Sequence, residues 1–405
     1  MSNRELWWLN PIKIYLLLVS IIVIYAYITP ESSYKMLYDI AKKNIDEDMM
    51  LLYVINSFFF ILGCLSVKKN TRVYVQPNQN EMGNIVRVFV VLYSLTMLAY
   101  FVWYTNFIMN FGLSAFGTIL NGSLSDNIYK YRDNSGRVSG LTTMTELGVG
   151  AAPLGIWLYQ KTKKNKYIIS IFILVILAII RSFLFTERLA TIELAIPMFV
   201  VALSFSKQRK IYSMLPLLGV GTLYVMFGLF EYSRSWLLYY KDHYNGTFPQ
   251  FVLDRLIGYY TTAINTECAW IKHHNPSFYP QNLFHWARKL PIVGEYWKES
   301  GGDGWYEKLL IQYGSPEFNN PGGLLIGCKD FGLYGVLVTY LFGYIFMKFY
   351  YKYKDGSLAG LVLFSVCFLA ILEFTRFPFF SDYRSFYCII SLIVIYSYLR
   401  KYKAY

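Results

Sequence analysis

The apolar residues of this chain fall in blocks of roughly 17–22, the length that carries an α-helix across a bilayer core. Such blocks can be drawn at 12–28, 49–67, 85–104, 141–159, 167–183, 189–205, 211–230, 331–349, 358–374 and 385–400. Hydrocarbon offers no water to an open N–H or C=O, so each block is expected to be helical. The expected fold is therefore an all-α, polytopic integral membrane protein of about ten transmembrane helices, one domain over residues 1–405. Residues 231–330, between the seventh and eighth blocks, form the longest connection.

Charge fixes the orientation. Only 16% of the residues are charged, against about a quarter in soluble domains. Lysine and arginine gather in alternate connections. One set holds Lys68, Lys69 and Arg72, then Lys161, Lys163, Lys164 and Lys166, then Lys207, Arg209 and Lys210, then Lys352 and Lys354, and finally Arg400, Lys401 and Lys403. The other short connections are poorer in basic residues. The positive-inside rule then makes both termini cytoplasmic and 231–330 external. The stretch 167–205 is split into two helices near Ser182–Glu187, because its basic ends must lie on the same side. The first block is followed by no small-residue cleavage site and reads as a retained helix.

The net charge of +13 lies beside apolar blocks. It suits membrane lipids with anionic headgroups, or an anionic substrate at the membrane, and not nucleic acid. Aromatic residues such as Trp7, Trp8, Trp103 and Tyr104 cluster at block ends, where amphipathic rings favour the interface. Within 231–330, Leu253, Leu256, Ile257, Tyr260, Ile264, Cys268 and Ile271 recur at helical spacing. Residues 250–272 are read as an amphipathic helix ending before Pro276, with a weaker helix over 282–289 and an interfacial helix within 105–140.

The candidate chemistry is cationic. Arg181 and Arg188 flank one outer turn, Arg376 and Arg384 flank another, Arg234 stands just above the seventh helix, and Arg255 lies in the large loop. Arginine at the outer end of a helix is costly and is not explained by orientation. Its planar fork suits a phosphate or diphosphate, so these six are the candidate diphosphate-binding residues, expected to meet in one place. The plainer alternative pairs them with Glu187, Glu193, Glu231, Glu373 and Asp382. All four histidines lie in the large loop, and His273, His274 and His285 are the candidate general bases. Nothing in the spacing points to a metal site or cofactor, to a phosphate-binding loop, or to a serine-hydrolase elbow. Cys268 and Cys328 are the only cysteines placed to face an oxidising compartment. Glu146 is the clearest charge inside a block.

The layout, with its largest outer loop before the last three helices, resembles the bacterial O-antigen (oligosaccharide repeat unit) polymerases of the Wzy type. Local runs add to the similarity. These are Arg181-Ser-Phe-Leu-Phe-Thr-Glu-Arg188, Glu231-Tyr-Ser-Arg234, Arg255-Leu-Ile-Gly-Tyr-Tyr260 with Asn265, Phe318-Asn-Asn320 and Asp330-Phe-Gly332. The resemblance implies a glycosyltransferase of the bacterial inner membrane acting on polyprenyl-diphosphate-linked oligosaccharides at the outer leaflet, with a chain-length regulator protein as a further partner. An acceptor hydroxyl would attack the anomeric carbon while the diphosphate leaves, which requires cations and a base. An O-antigen ligase uses the same donor. A flippase or other transporter would instead place charge near the bilayer midplane.

Overall fold

A computed structural model describes residues 6–40, 42–69, 73–112, 138, 140–184, 187, 189–206, 210–290, 292–297 and 304–404, without the side chains at 183, 210, 233, 234 and 238. Arg137 and Arg188 lie outside the described residues, as does the interfacial helix expected within 105–140 beyond Gly112.

The described chain is helical, with isolated β-bridges only at Val75–Tyr402 and Ser357–Lys403. The helices are α1 (Pro11–Ile28), α2 (Glu31–Tyr38), α3 (Glu47–Leu65), α4 (Gln79–Phe111), α5 (Leu147–Thr162), α6 (Asn165–Leu184) and α7 (Leu189–Ser204). They continue as α8 (Leu215–Glu231), α9 (Phe248–His273), α10 (Trp305–Tyr313), α11 (Ile326–Phe331), α12 (Val336–Lys354), α13 (Leu358–Glu373) and α14 (Ser385–Leu399). Among the described residues, six stretches are long and apolar enough to cross a membrane. These are Pro11–Ile28, Glu47–Leu65, Gln79–Phe111, Asn165–Ser182, Ile211–Glu231 and Ile326–Lys354. Helices α7, α13 and α14 are apolar but shorter. The outward faces carry exposed Leu217, Leu218, Val220 and Leu229 on α8 and Ile21, Ile24 and Ile28 on α1, as a lipid-facing surface requires.

Close packing follows from small residues. A Cβ on Gly63 would stand 2.0 Å from the carbonyl oxygen of Tyr340, and one on Gly343 would stand 2.1 Å from that of Phe60. The backbones of α3 and α12 therefore touch, the device by which helices associate where burial of apolar surface offers no driving force. Asn56 lies in that seam. Its amide donates to the Leu324 carbonyl at 2.9 Å and its Oδ1 accepts from Thr339 Oγ1 at 2.7 Å. Helix α13 is buried along nearly its whole length and forms the axis of the core.

Contacts between connections form two layers. In one, Trp8 Nε1 donates to the Tyr212 carbonyl, Trp157 Nε1 to the Ala404 carbonyl, and the 401–403 segment pairs with Val75 and Ser357. In the other, Asn44 meets Asn265, Gly322 N–H donates to the Arg376 carbonyl, and the end of α6 meets the starts of α7 and α14 around Glu146.

Helix α9 changes the reading of the large loop. Its limits agree with the expected 250–272, but it is not an amphipathic surface helix. Residues Thr261–Trp270 are buried on every side. The polar positions that suggested water are matched inside. Asn265 Oδ1 accepts from Asn44 N–H at 2.6 Å, and Glu267 accepts from Tyr53 OH and from Leu325 N–H, both at 3.0 Å. The weaker helix expected over 282–289 is a single 3-10 turn, His285–Lys289. Cys268 and Cys328 are both buried free thiols.

Candidate functional site

Sequence reasoning expected the arginines in one ring. The structure divides the four whose side chains are described, because each guanidinium is neutralised by the carboxylates nearest to it.

The first group closes the end of the α5–α6–α7–α14 bundle. Arg181, near the end of α6, places Nη2 and Nε 2.7 and 3.0 Å from Glu187 Oε2, and Nη1 2.7 Å from Thr145 Oγ1. Its guanidinium carbon lies 4.1 Å from the centre of the Trp103 ring. Arg384, capping α14, reaches Glu193 Oε2 at 3.2 Å and Glu146 Oε1 at 3.5 Å. Glu146 sits at the end of a 3-10 turn just before α5 and not within the helix, because Thr142–Glu146 winds more tightly. Removing one partner from such a set leaves an uncompensated buried charge. The group lies within about two turns of the helix ends, the edge of the apolar layer and not its midplane.

Arg376 forms a second, local pair, with Nη2 2.8 Å from Glu373 Oε2 three residues earlier. Beside it, Lys329 is buried against Glu267 at 3.5 Å and donates to the carbonyls of Pro321 and Gly322 at 2.6 and 2.9 Å. Gly322 has φ +68°, and a Cβ there would strike Glu267, so this turn requires glycine. Asp330 accepts from the backbone N–H groups of Asn282 and Leu283 and from the Asn282 amide, tying the start of the 3-10 region to α11.

The third group is built around Arg255, on α9. The residue is 5% exposed. Its Nε lies 2.8 Å from Glu231 Oε2, an ion pair without hydrogen-bond alignment, and its Nη1 lies 2.7 Å from Glu317 Oε1. Its Nη2 is buried with no hydrogen-bond partner among the described residues. The rings of Tyr240, Phe318 and Phe251 surround the guanidinium, with centres 5.1, 5.1 and 5.5 Å from its carbon. Burial works against the Arg255 charge, but the two carboxylates outweigh it and hold the pKa above the ordinary arginine value. Trp236, Tyr244 and Phe248 extend the aromatic wall through Phe251. Arg234 belongs to the π-helix Tyr232–Tyr240 that continues from α8, and its side chain lies outside the described residues. Glu317 and the π-helix carried no sign in sequence that they would meet Arg255.

The histidines separate. His273 ends α9, stacked on Tyr313 with ring centres 3.8 Å apart. It lies 18 residues beyond Arg255 on one unbroken helix, a separation of about 27 Å. His274 packs on Trp305 at 4.2 Å. His285 meets the edge of Tyr383 at 6.5 Å, beside Arg384 in sequence. Partial burial, then Lys42 and Lys272, depress the His273 pKa, and partial burial depresses that of His274.

Against known proteins, no family model matches this chain, and neither a curated protein nor a solved structure matches it.

Proposed function

We propose that this chain is a membrane-embedded glycosyltransferase. It joins polyprenyl-diphosphate-linked oligosaccharide repeat units into a surface polysaccharide at the outer face of the bacterial inner membrane. The observation that carries this reading is Arg255, a buried cation with one N–H group unpartnered, walled by aromatic rings. A guanidinium can hold a leaving diphosphate through paired hydrogen bonds, and these strengthen as negative charge develops in the transition state. Flat aromatic faces suit the apolar faces of sugar rings. The base for the acceptor hydroxyl is one of His273, His274 and His285.

The ten-crossing topology belongs to the same reading. The contacts of Trp8 with Tyr212, of Trp157 with Ala404 and of the 401–403 segment with Val75 and Ser357 support it, because they join connections that this reading puts on one side. Its charged groups lie at helix ends, which favours chemistry at the surface over transport through the midplane.

A deletion strain tests the proposal. Loss of long polysaccharide with single repeat units retained on the lipid A core marks a polymerase. Loss of all transfer to the core marks a ligase, and unchanged polysaccharide overturns both.

A further inference from the structure

The π-helix Tyr232–Tyr240 has a geometric reason to exist. Glu231 and Tyr240 are nine residues apart, and both lie on Arg255. An α-helix turns about 100° per residue, so residues nine apart point in opposite directions. A π-helix, bonded i to i+5, turns only about 82° per residue, and nine steps return to within about 20° of the starting direction. The wider winding therefore brings a carboxylate and a phenol to one cation. Isolated π-turns are frequent at functional sites, and this one gathers groups around Arg255.

What it assembles is asymmetric. Of the two carboxylates on Arg255, Glu231 is fully buried, whereas the Glu317 side chain is 43% exposed. Glu317 is also held by Tyr240, whose OH donates to Oε2 at 2.9 Å. Glu317 enters from outside the α8–α9 pair, on the non-helical segment before Pro321. It occupies Nη1, and Nη2 beside it is buried and has no hydrogen-bond partner among the described residues. Two adjacent N–H groups of a guanidinium, one covered by a removable carboxylate and one bare, match the spacing of two phosphoryl oxygens.

We propose that Arg255 is an exchange site for a phosphoryl anion. The incoming anion displaces Glu317 from Arg255 and takes its hydrogen bond from Tyr240, while Glu231 stays in place. In the empty protein Glu317 stands in for the ligand and keeps the buried charge satisfied. This rests on the reading of Arg255 as the diphosphate cation and adds how the site is kept closed until substrate arrives. The anion's shared chemistry is a phosphoryl group, carried either by a diphosphate or by a lipid headgroup.

The test is binding of inorganic pyrophosphate to the full chain in neutral phosphatidylcholine nanodiscs, by calorimetry. Glu317→Gln, which removes the competing charge, should tighten binding roughly tenfold, about 1.4 kcal/mol. Tyr240→Phe, which removes one anchor of Glu317 and also one donor to the ligand, should change affinity by less than about threefold. Asp242→Asn, a nearby exposed acid, controls for bulk charge and should leave affinity unchanged. Arg255→Lys should abolish binding. Nanodiscs with phosphatidylglycerol provide the second arm. A gain for Glu317→Gln on pyrophosphate in neutral lipid assigns the anion to a diphosphate, and a gain seen only as tighter phosphatidylglycerol retention assigns it to a headgroup. No gain in either arm, or an equal gain in Asp242→Asn, overturns the exchange. Unchanged polysaccharide in the deletion strain, with the Glu317→Gln gain intact, would remove the polymerase reading and leave the exchange site standing.

Discussion

Arg181 and Arg384 bring their guanidinium groups to the same carboxylate oxygen, Oε1 of Glu146, each at 3.5 Å. With Glu187 and Glu193 completing the set, α5, α6, α7 and α14 are locked at one end by charges that none of them could bury alone.

Arg384→Ala should therefore destabilise the fold by about 3–5 kcal/mol, the cost of leaving buried carboxylates unpaired. The check is the unfolding temperature in detergent. Arg384→Ala together with Glu193→Ala should cost less than the sum of the two single losses, whereas a double-variant loss equal to that sum would refute the coupling.

Gly343→Ala should disrupt the α3–α12 seam, since its Cβ would overlap the Phe60 carbonyl oxygen. Gly219→Ala, on exposed α8, meets nothing within 4 Å and should be neutral or slightly stabilising. Folded yield by size-exclusion chromatography compares the two, and similar yields would mean that the helices do not approach so closely.

One of the changes His273→Ala, His274→Ala and His285→Ala should abolish chain extension. The folded pKa values of His273 and His274 lie below the ordinary 6.5. The fold favours their neutral forms. Any stability they contribute is therefore complete above 6.5 and is lost as pH falls from 6.5 through the depressed folded values. Unfolding temperature should drop on acidification through that window, and replacing both residues with Asn should flatten the drop. An unaltered pH dependence in the double variant would assign the effect elsewhere.

Reporter fusions after Lys164, Lys210 and Lys354 should report cytoplasm, and one at Gly302 should report the outside. A cytoplasmic signal at Gly302 would remove the outer-face chemistry altogether.

The positions of the apolar helices were legible because a membrane span needs a length of apolar chain and little else. Helix α9 was legible in its limits but not in its surroundings. Thr262, Asn265, Thr266 and Glu267 read as water-facing, and only the fold shows Asn44 and Tyr53 opposite two of them. The arginines were identifiable as exceptional by position, yet which carboxylate each would meet depends on connections far apart in sequence. Glu317 is one acid in a loop, and nothing local marks it as the partner of Arg255. The π-helix was invisible, since Tyr232–Tyr240 has no residue that forbids ordinary α winding.

The pairing of Asn56 with Thr339 spans 283 residues. At synthesis rates of about 5–20 residues per second, α3 leaves the ribosome roughly 15–55 s before its hydrogen-bond partner exists. During that interval the Asn56 amide resides in a nascent helix without either of its final acceptor or donor contacts, and Gly63 faces lipid in place of a neighbouring backbone. Assembly of this seam must therefore be post-insertional, and a nascent chain stalled before residue 324 should expose an α3 that insertion factors or protein-quality proteases can still engage.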